Sequence, residues 1–221
     1  VTSFLIYVSG FHPIEVYRAL FYGAFGNLGS MARTLNRTTP LLLCSLGIIF
    51  AFRCGVWNIG EEGQLCMGAL GCTLIGLFLE GIPKAIHLLL VVFASFVGGG
   101  IWAGIAGFLK VRYKANEIIT TLLMNFIAFW LIFYAVRFPL RPPSAFNPVT
   151  AEIALSARLP IIMCGTSLHA GILIALGSVI ATWFVLRKTV LGYRIKAVGA
   201  NPDAAFFGGI SIGKTSMISM I

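Results

Sequence analysis

The segment AIHLLLVVFASFVGGGIWAGIAGFL, residues 85–109, decides the fold class of this chain. It runs from Ala85 to Leu109 without an Asp, Glu, Lys or Arg side chain. The hydrocarbon core of a bilayer is about 30 Å thick, and about 20 apolar residues in a helix cross it. The segment therefore predicts a helix that spans a membrane.

The composition of the whole chain agrees with lipid as the solvent. Of the 221 residues, 58% are hydrophobic and 10% are charged, against roughly a quarter charged in an ordinary soluble domain. The formal net charge is +9, which on a soluble domain would suggest nucleic acid as a partner. Here the cations lie between the apolar stretches, as they do in membrane loops, so no nucleic-acid partner is expected.

Working outward from residues 85–109, the sequence predicts an all-α, polytopic transmembrane bundle that forms a single domain over residues 1–221. About six spans and the start of a seventh are expected. Residues 1–9 end a first span, residues 14–25 form an amphipathic helix, and Pro40 opens a run over 41–52 that is short for a span. Further helices are expected at about 64–79, 116–137 and 168–186, with a last one from near Ser211. The chain starts at Val1 and stops at Ile221 in an apolar run, so we expect a fragment.

Loops and charges give the expected orientation. Residues 138–167 contain five of the nine prolines and predict an irregular external loop. The densest cation clusters should lie in the cytoplasm by the positive-inside rule. These clusters are Lys110, Arg112 and Lys114, and Arg187, Lys188, Arg194 and Lys196.

Small residues recur every four positions on two consecutive predicted helices. They are Gly68, Cys72 and Gly76 on one helix, and Gly99, Ala103 and Gly107 on the next. Such spacing allows the backbones of two membrane helices to approach closely. We therefore expect these two helices to pack against each other.

Polar residues interrupt apolar sequence in GVWNIGEEGQ, residues 55–64. Irregular backbone at membrane depth is tolerated where it is buried in protein or lines a water-filled cavity. Asn58, Glu61, Glu62 and Gln64 are therefore candidates for a substrate path. The alternative is a solvated loop between two helices.

A second polar set lies on one face of the predicted helix over 116–137. Glu117, Thr121 and Asn125 recur every four residues, so that face should point into the bundle. The three side chains could line the same path or hydrogen-bond a neighbouring helix. Glu117 also suits a helix start, where it would complement the helix dipole.

The segment 188–210 contains a complete short helix. Asn201 can cap it, Pro202 fits its first position, Asp203 complements its positive end, and two glycines stop it. A capped amphiphilic helix on the cytoplasmic face indicates a docking surface, and a connecting loop is the alternative. The residues expected to take part in docking are Gly192, Arg194, Lys196, Gly199, Asn201, Pro202, Asp203, Ala204, Ala205 and Phe206.

The sequence offers no catalytic set. Residues 208–215, GGISIGKT, match the P-loop pattern formally, but they lead into membrane sequence and lack the preceding strand that the mechanism needs. The histidines are isolated from any nucleophile, and the cysteines lack the paired spacing of a zinc site. We therefore expect no enzymatic activity, no metal site and no cofactor bound by this chain.

Three segments resemble one family in the same order. FRCGVWNIGEEGQLCMGA, residues 52–69, resembles the F-x-x-G-x-x-N-I-G-x-E-G-Q signature of ABC importer permeases for nucleosides and simple sugars. KANEIITTLLMNFIA, residues 114–128, is similar to their N-E-V-I-x-T-x-x-x-N-Y-I-A segment. Residues 192–205 are similar to their cytoplasmic coupling segment.

The resemblance implies a permease subunit in the bacterial cytoplasmic (inner) membrane that translocates a nucleoside or a simple sugar. Its implied partners are a second permease subunit, identical or different, a cytoplasmic ATPase that binds ATP and Mg, and an extracytoplasmic binding protein. Membrane lipid would surround it. A self-sufficient secondary transporter or channel for a small polar solute is the rival interpretation, and Glu61 and Glu62 could supply its coupling groups.

Overall fold

A computed structural model describes all 221 residues and contains ten α-helices and no β-strand. One 3₁₀ turn, Leu155–Ala157, lies in the Pro-rich loop. The helices are α1 (Thr2–Val8), α2 (Pro13–Phe25), α3 (Leu28–Arg53), α4 (Glu61–Phe78), α5 (Lys84–Tyr113), α6 (Glu117–Arg137), α7 (Gly171–Lys188), α8 (Val190–Ala200), α9 (Pro202–Phe207) and α10 (Ile212–Met220). The predicted all-α class is confirmed.

Four helices, α3, α5, α6 and α7, are long and apolar enough to cross a membrane. This is fewer than the six expected spans. Helix α1 has seven residues, which is too short to cross, and α4 has 18 residues with two carboxylates in its first turn. The chain is a multi-pass membrane protein.

Helix α3 corrects the expectation that Pro40 opens a helix. It begins at Leu28 and carries Pro40 in its interior, so its 26 residues are long enough to span. Proline removes one backbone donor, and membrane helices tolerate it where hydroxyl side chains support the freed backbone. The carbonyl that loses its donor to Pro40 is that of Asn36, four residues earlier. The Thr38 and Thr39 hydroxyls donate to the neighbouring Thr34 and Leu35 carbonyls at 2.9 Å and 3.0 Å, so they supplement adjacent helical bonds instead of replacing the lost one.

The chain divides into two compact units, residues 1–43 with 159–177, and residues 44–158 with 178–221. In the first unit, Asn36 of α3 holds the segment that precedes α7. Its side-chain amide donates to the Ser167 carbonyl at 2.5 Å, and its side-chain oxygen accepts from the His169 backbone amide at 3.4 Å. One polar side chain thus orders this end of the loop.

In the second unit, α4 and α5 pack with their backbones in direct contact. A Cβ atom placed on Gly71 would lie 2.6 Å from the Ala94 carbonyl oxygen, and one on Gly98 would lie 2.6 Å from the Met67 carbonyl oxygen. No side chain fits in such a gap, because carbon atoms need more than 3 Å. The expected close approach of these two helices is confirmed.

The predicted small-residue positions contribute unequally to that contact. Gly68 and Gly99 face the opposite backbone, where an added Cβ would lie about 3 Å from a carbonyl oxygen. Gly76 instead faces side chains of the Pro-rich loop, and Gly107 faces α10. The four-residue spacing therefore predicted correctly which two helices pack together. It did not predict that Gly76 and Gly107 contact other parts of the chain.

A buried histidine fastens the Pro-rich loop to the α4–α5 pair. The imidazole of His87 has no solvent exposure, and its Nδ1 lies 2.8 Å from the Ser156 hydroxyl oxygen. Its Nε2 lies 3.3 Å from the Ile75 carbonyl oxygen, and the Ala154 amide donates to the Gly76 carbonyl at 3.0 Å. Both ring nitrogens therefore have a partner, and these contacts join α5 to α4 and to the Pro-rich loop.

We expect His87→Leu to lower the free energy of unfolding by about 1–3 kcal/mol, because the Ser156 hydroxyl and Ile75 carbonyl lose their partner in a buried position. Thermal unfolding in detergent measures the loss, and trypsin cleavage after Arg158 should become faster. Ile86→Ala, on the exposed side of the same turn, is the control. Equal cleavage rates in the two variants would contradict a fastening role for His87.

Candidate substrate path and docking surface

The helices α3 and α4 are separated by a non-helical stretch, residues 54–60, which we call the break. The Val56 amide donates to the Ala51 carbonyl at 3.0 Å, and the Gly60 amide donates to the Asn58 side-chain oxygen at 3.0 Å. Gly55 has a φ of +75°, which a glycine adopts without strain. Local hydrogen bonds therefore replace part of the helical bonding.

Helix α6 supplies the remaining hydrogen bonds of the break. The Asn125 side-chain amide donates to the Ile59 carbonyl at 2.8 Å, and its side-chain oxygen accepts from the Gly63 amide at 2.9 Å. The Thr121 hydroxyl accepts from the Ile59 amide at 3.2 Å. Thr121 and Asn125 thus share a face that contacts residues 59–63.

The break lies inside the helical bundle. A Cβ atom on Gly63 would lie 3.0 Å from the Trp102 Nε1 atom of α5, which is about 16 Å along the helix axis from its C-terminal end. Asn125 is about 12 Å from the first residue of α6. The first turn of α4, directly after the break, thus packs against the interior of α5 and α6.

Glu117 takes part in an ion pair at the start of α6, where the predicted stripe begins. Its carboxylate pairs with the Lys110 ammonium at 2.5 Å, and both side chains keep some exposure to solvent. The Asn116 side-chain oxygen caps α6 by accepting from the Ile118 amide at 3.0 Å and the Ile119 amide at 3.3 Å. Glu117 therefore lies at the start of α6, where its carboxylate also interacts with the Trp57 backbone amide of the break.

The predicted polar residues around the break differ in burial. Asn58 is buried and turned toward the backbone of Gly60, whereas Glu62 is exposed and Gln64 is half-buried. The Glu61 Oε1 atom is buried and has no hydrogen-bond partner. The four predicted residues, Asn58, Glu61, Glu62 and Gln64, thus differ in burial and in hydrogen bonding.

Trp102 is a candidate that sequence reasoning missed. Its Nε1 atom and the Glu61 Oε1 atom are the two buried side-chain polar atoms without a partner. Unpaired buried polar groups are rare in native proteins and each calls for an explanation, such as a bound solute or water. The available signal was a lone tryptophan in a glycine-rich stretch of α5.

The docking candidate consists of two capped helices. The Asn201 side-chain oxygen accepts from the Ala204 amide at 3.0 Å, which confirms the predicted cap of α9, and Pro202 is its first residue. The preceding helix α8 was not predicted. Its cap is Thr189, whose hydroxyl accepts from the Gly192 amide at 3.2 Å.

One side of α8 and α9 packs into the chain's own core. Ile195 and Val198 of α8 and Ala205 of α9 are buried in a cluster that also contains Val56 of the break. Ala205 is thus turned inward, whereas the sequence analysis placed it on the docking surface. A helix of two turns buries one face, and the sequence alone does not tell which face that is.

Gly192 and Gly199 also face the chain itself. A Cβ atom on Gly192 would lie 2.2 Å from the Val185 carbonyl oxygen of α7, and one on Gly199 would lie 2.1 Å from the Arg53 carbonyl oxygen of α3. Each position therefore requires glycine for a close backbone contact.

The other side of the two helices is open to solvent. Phe206 and Phe207 are 64% and 88% exposed, and they pack edge to face with ring centroids 5.9 Å apart. Arg194, Lys196, Asn201, Pro202, Asp203 and Ala204 are exposed beside them. We call this set, with the two phenylalanines, the knob.

Both cation clusters lie at the same end of the second unit. A Cβ atom on Gly213, near the start of α10, would lie 2.9 Å from the Val111 side chain, near the end of α5. Further along α10, Met217 approaches Gly107, so the two helices run in opposite directions. The end of α5 that carries Lys110 and Lys114 thus adjoins the start of α10. In sequence α10 directly follows the knob, which carries Arg194 and Lys196 of the second cation cluster.

These observations define an all-α, multi-pass membrane protein with a helix break that α6 braces. The comparison with known families is specific: residues 30–221 match the model of the family described as branched-chain amino acid transport system / permease component. The chain belongs to this permease family, as its three signature segments had indicated.

Characterised relatives carry related descriptions. The chain is 35% identical to a guanosine ABC transporter permease protein of Bacillus subtilis over 99% of its own length and 63% of the relative's. It is 34% identical to a glucose ABC transporter permease protein of Haloferax volcanii, over 90% of the chain and 55% of the relative. It is 30% identical to a nucleoside ABC transporter permease protein of Lactococcus lactis, over 96% of the chain and 60% of the relative.

The chain thus spans about three fifths of the length of these relatives. No solved structure matches it.

We expect Asn125→Leu to destabilise the folded protein by about 1–4 kcal/mol, because two hydrogen bonds within the membrane contribute about 0.6–2 kcal/mol each. Unfolding by denaturant in detergent micelles measures the change. Phe129→Leu, one turn further along α6 and 58% exposed, is the control and should stay near wild type. Equal stability of the two variants would mean that Asn125 does not brace the break.

Proposed function

We propose that this chain is the membrane-spanning subunit of an ATP-driven importer that carries a nucleoside or a simple sugar across the bacterial cytoplasmic membrane. The observation that carries the proposal is a helix break that α6 holds at its far end and that touches, at its start, the helices bearing the exposed aromatic knob. Family membership supports it, and so do the guanosine, nucleoside and glucose permeases among the relatives.

The proposed path runs along the first turn of α4. The Glu61, Glu62 and Gln64 side chains have polar atoms that the fold does not fully engage, and the buried indole N–H of Trp102 is unpaired beside them. Nucleosides and sugars are neutral molecules rich in hydroxyl groups, so they need both donors and acceptors. Asn58, Thr121 and Asn125 shape this path through backbone contacts, and Glu117 closes its cation-rich end with Lys110.

The knob is the proposed seat of a cytoplasmic ATPase, which would bind ATP and Mg and perform the hydrolysis. The exposed rings of Phe206 and Phe207 offer apolar area of the kind that anchors protein interfaces. Arg194 and Lys196 can meet acidic groups on that partner. Asn201, Pro202 and Asp203 fix the helix that presents them, while Gly192, Gly199 and Ala205 hold it on the permease.

The remaining partners follow from the same proposal. A second permease subunit, identical or different, would complete the path, and an extracytoplasmic binding protein would deliver the solute on the side of the Pro-rich loop. The long helices expose many large apolar side chains, as expected of surfaces in contact with lipid or with another membrane subunit.

One observation favours a second candidate, a secondary transporter. One carboxylate oxygen of Glu61, directly after the break, has no hydrogen-bond partner, and broken helices often hold coupling ions or protons in such carriers. Uptake into proteoliposomes separates the two candidates. The importer requires ATP and the ATPase, whereas the carrier responds to a proton or sodium gradient and loses uptake with an ionophore.

We expect Ala204→Glu to reduce ATP-dependent uptake and substrate-stimulated hydrolysis together by about tenfold or more, because a charge in a buried contact lacks a partner. Ala204 is exposed on the knob, so the variant should insert and fold normally. Ala151→Glu, exposed in the Pro-rich loop, is the control. Wild-type uptake in Ala204→Glu would remove the knob from the coupling role.

Thiol labelling tests the path and the orientation. In a background without the five native cysteines, Gln64→Cys should react with a hydrophilic maleimide, and bound substrate should slow its labelling. Phe207→Cys should react from the cytoplasmic side alone. If Gln64→Cys reacts freely with no effect of substrate, residues 58–64 form an ordinary loop, and labelling of Phe207→Cys from outside would reverse the topology.

A further inference from the structure

The break and the docking helices touch each other through their backbones. A Cβ atom on Gly199, at the end of α8, would lie 2.1 Å from the Arg53 carbonyl oxygen and 3.1 Å from the Cys54 carbonyl carbon. A Cβ atom on Gly55 would lie 3.6 Å from the Gly199 Cα atom. The end of α8 is therefore seated directly on the residues where α3 ends and the break begins.

Buried side chains surround this backbone contact. Val56 of the break is 2% exposed, and Ile195 and Val198 of α8 are 0% and 2% exposed. All three belong to one hydrophobic cluster together with Cys54. The first residues of the break are thus part of the same packed core as α8.

The far end of the break is held by a different element. Asn125 and Thr121 of α6 bond the backbone of Ile59 and Gly63. The Glu117 carboxylate of α6 also interacts with the Trp57 backbone amide, so the part that α6 holds begins directly after Val56. The break is therefore a short connection between two fixed contacts.

We infer that the seating of Gly199 on Arg53 and Cys54 sets the geometry of the break, so that α8 acts directly on the polar residues at the start of α4. No spanning helix has to relay the movement. The inference rests on the proposed function for its role in transport, but the contact itself can be tested without any transport activity.

The physical basis is that this contact has little freedom to absorb a displacement. A contact between side chains can adjust by rotamer changes, but backbone atoms packed through glycines cannot. A movement of α8 by about 1 Å, a common size for packed helices that shift, must therefore move residues 53–55 or separate them from α8. The positive φ of Gly55 places a flexible residue at the start of the break.

Gly199→Ala tests the contact because the added methyl group requires α8 to move away from Arg53 by about 1 Å. Hydrogen–deuterium exchange of the purified chain in detergent is the measurement. We expect exchange over residues 54–63 to become about tenfold faster, with little change over residues 125–137. Gly47→Ala is the control, because no atom lies within 4 Å of its added Cβ on the same helix α3.

Val56→Ala approaches the same contact from the opposite direction, since it removes packing atoms instead of adding them. It should also accelerate exchange over residues 54–63. If Gly199→Ala raises exchange throughout the chain, that variant is unfolded. The exchange of Val56→Ala over residues 54–63 then tests the inference in its place. The inference would be overturned if residues 54–63 exchanged no faster than in the Gly47→Ala control. This outcome counts in a folded Gly199→Ala variant and equally in Val56→Ala.

Transport adds an independent readout. In the transporter reconstituted with its ATPase and binding protein, we expect Gly199→Ala to lower the amount of solute taken up per ATP hydrolysed by about tenfold. Gly47→Ala should keep the wild-type ratio. A wild-type ratio in Gly199→Ala would overturn the transport role of the contact. If the wild-type complex itself shows no ATP-driven uptake, the proposed function fails, while the exchange experiment still judges the contact.

Discussion

The second unit depends on one constraint, which is that backbone amides and carbonyls at membrane depth must be hydrogen-bonded within the protein. Between α3 and α4 the helical pattern stops, so other groups have to serve this purpose. Asn58 bonds the break from within, and Thr121 and Asn125 bond it from α6. The polarity of α6 at this level is therefore first a requirement of the broken helix. Any role in contact with a solute is added to that requirement.

The same reasoning separates two kinds of polar residue. Side chains whose donors and acceptors bond the backbone are engaged by the fold and have little left to offer a solute. The first turn of α4 is different, because Glu62 is exposed and one carboxylate oxygen of Glu61 is unpaired. With the unpaired indole of Trp102, both an acceptor and a donor remain open near the break. A permease for neutral, hydroxyl-rich solutes needs this combination of groups.

The sequence predicted the features that local rules decide. Long apolar runs located α5 and α6, and Asn201 was recognised as a cap because its side chain bonds an amide three residues further on. Features decided by distant contacts were missed or misread. Pro40 lies inside α3, Ala205 faces the core, and Gly199 is required by a carbonyl far away in the chain. None of these follows from neighbours in sequence, since each depends on which faces of the helices meet.

The short helices α8 and α9 show why both faces of such an element matter. Six residues of α9 cannot form a stable helix in isolation, so its position depends on the core contact of Ala205 and on its link to α8. That anchoring fixes the inward face and leaves Phe206 and Phe207 exposed on the other face. A force applied to these rings therefore acts on α8 and its contact with Arg53, because the core contact leaves α9 little freedom to move alone.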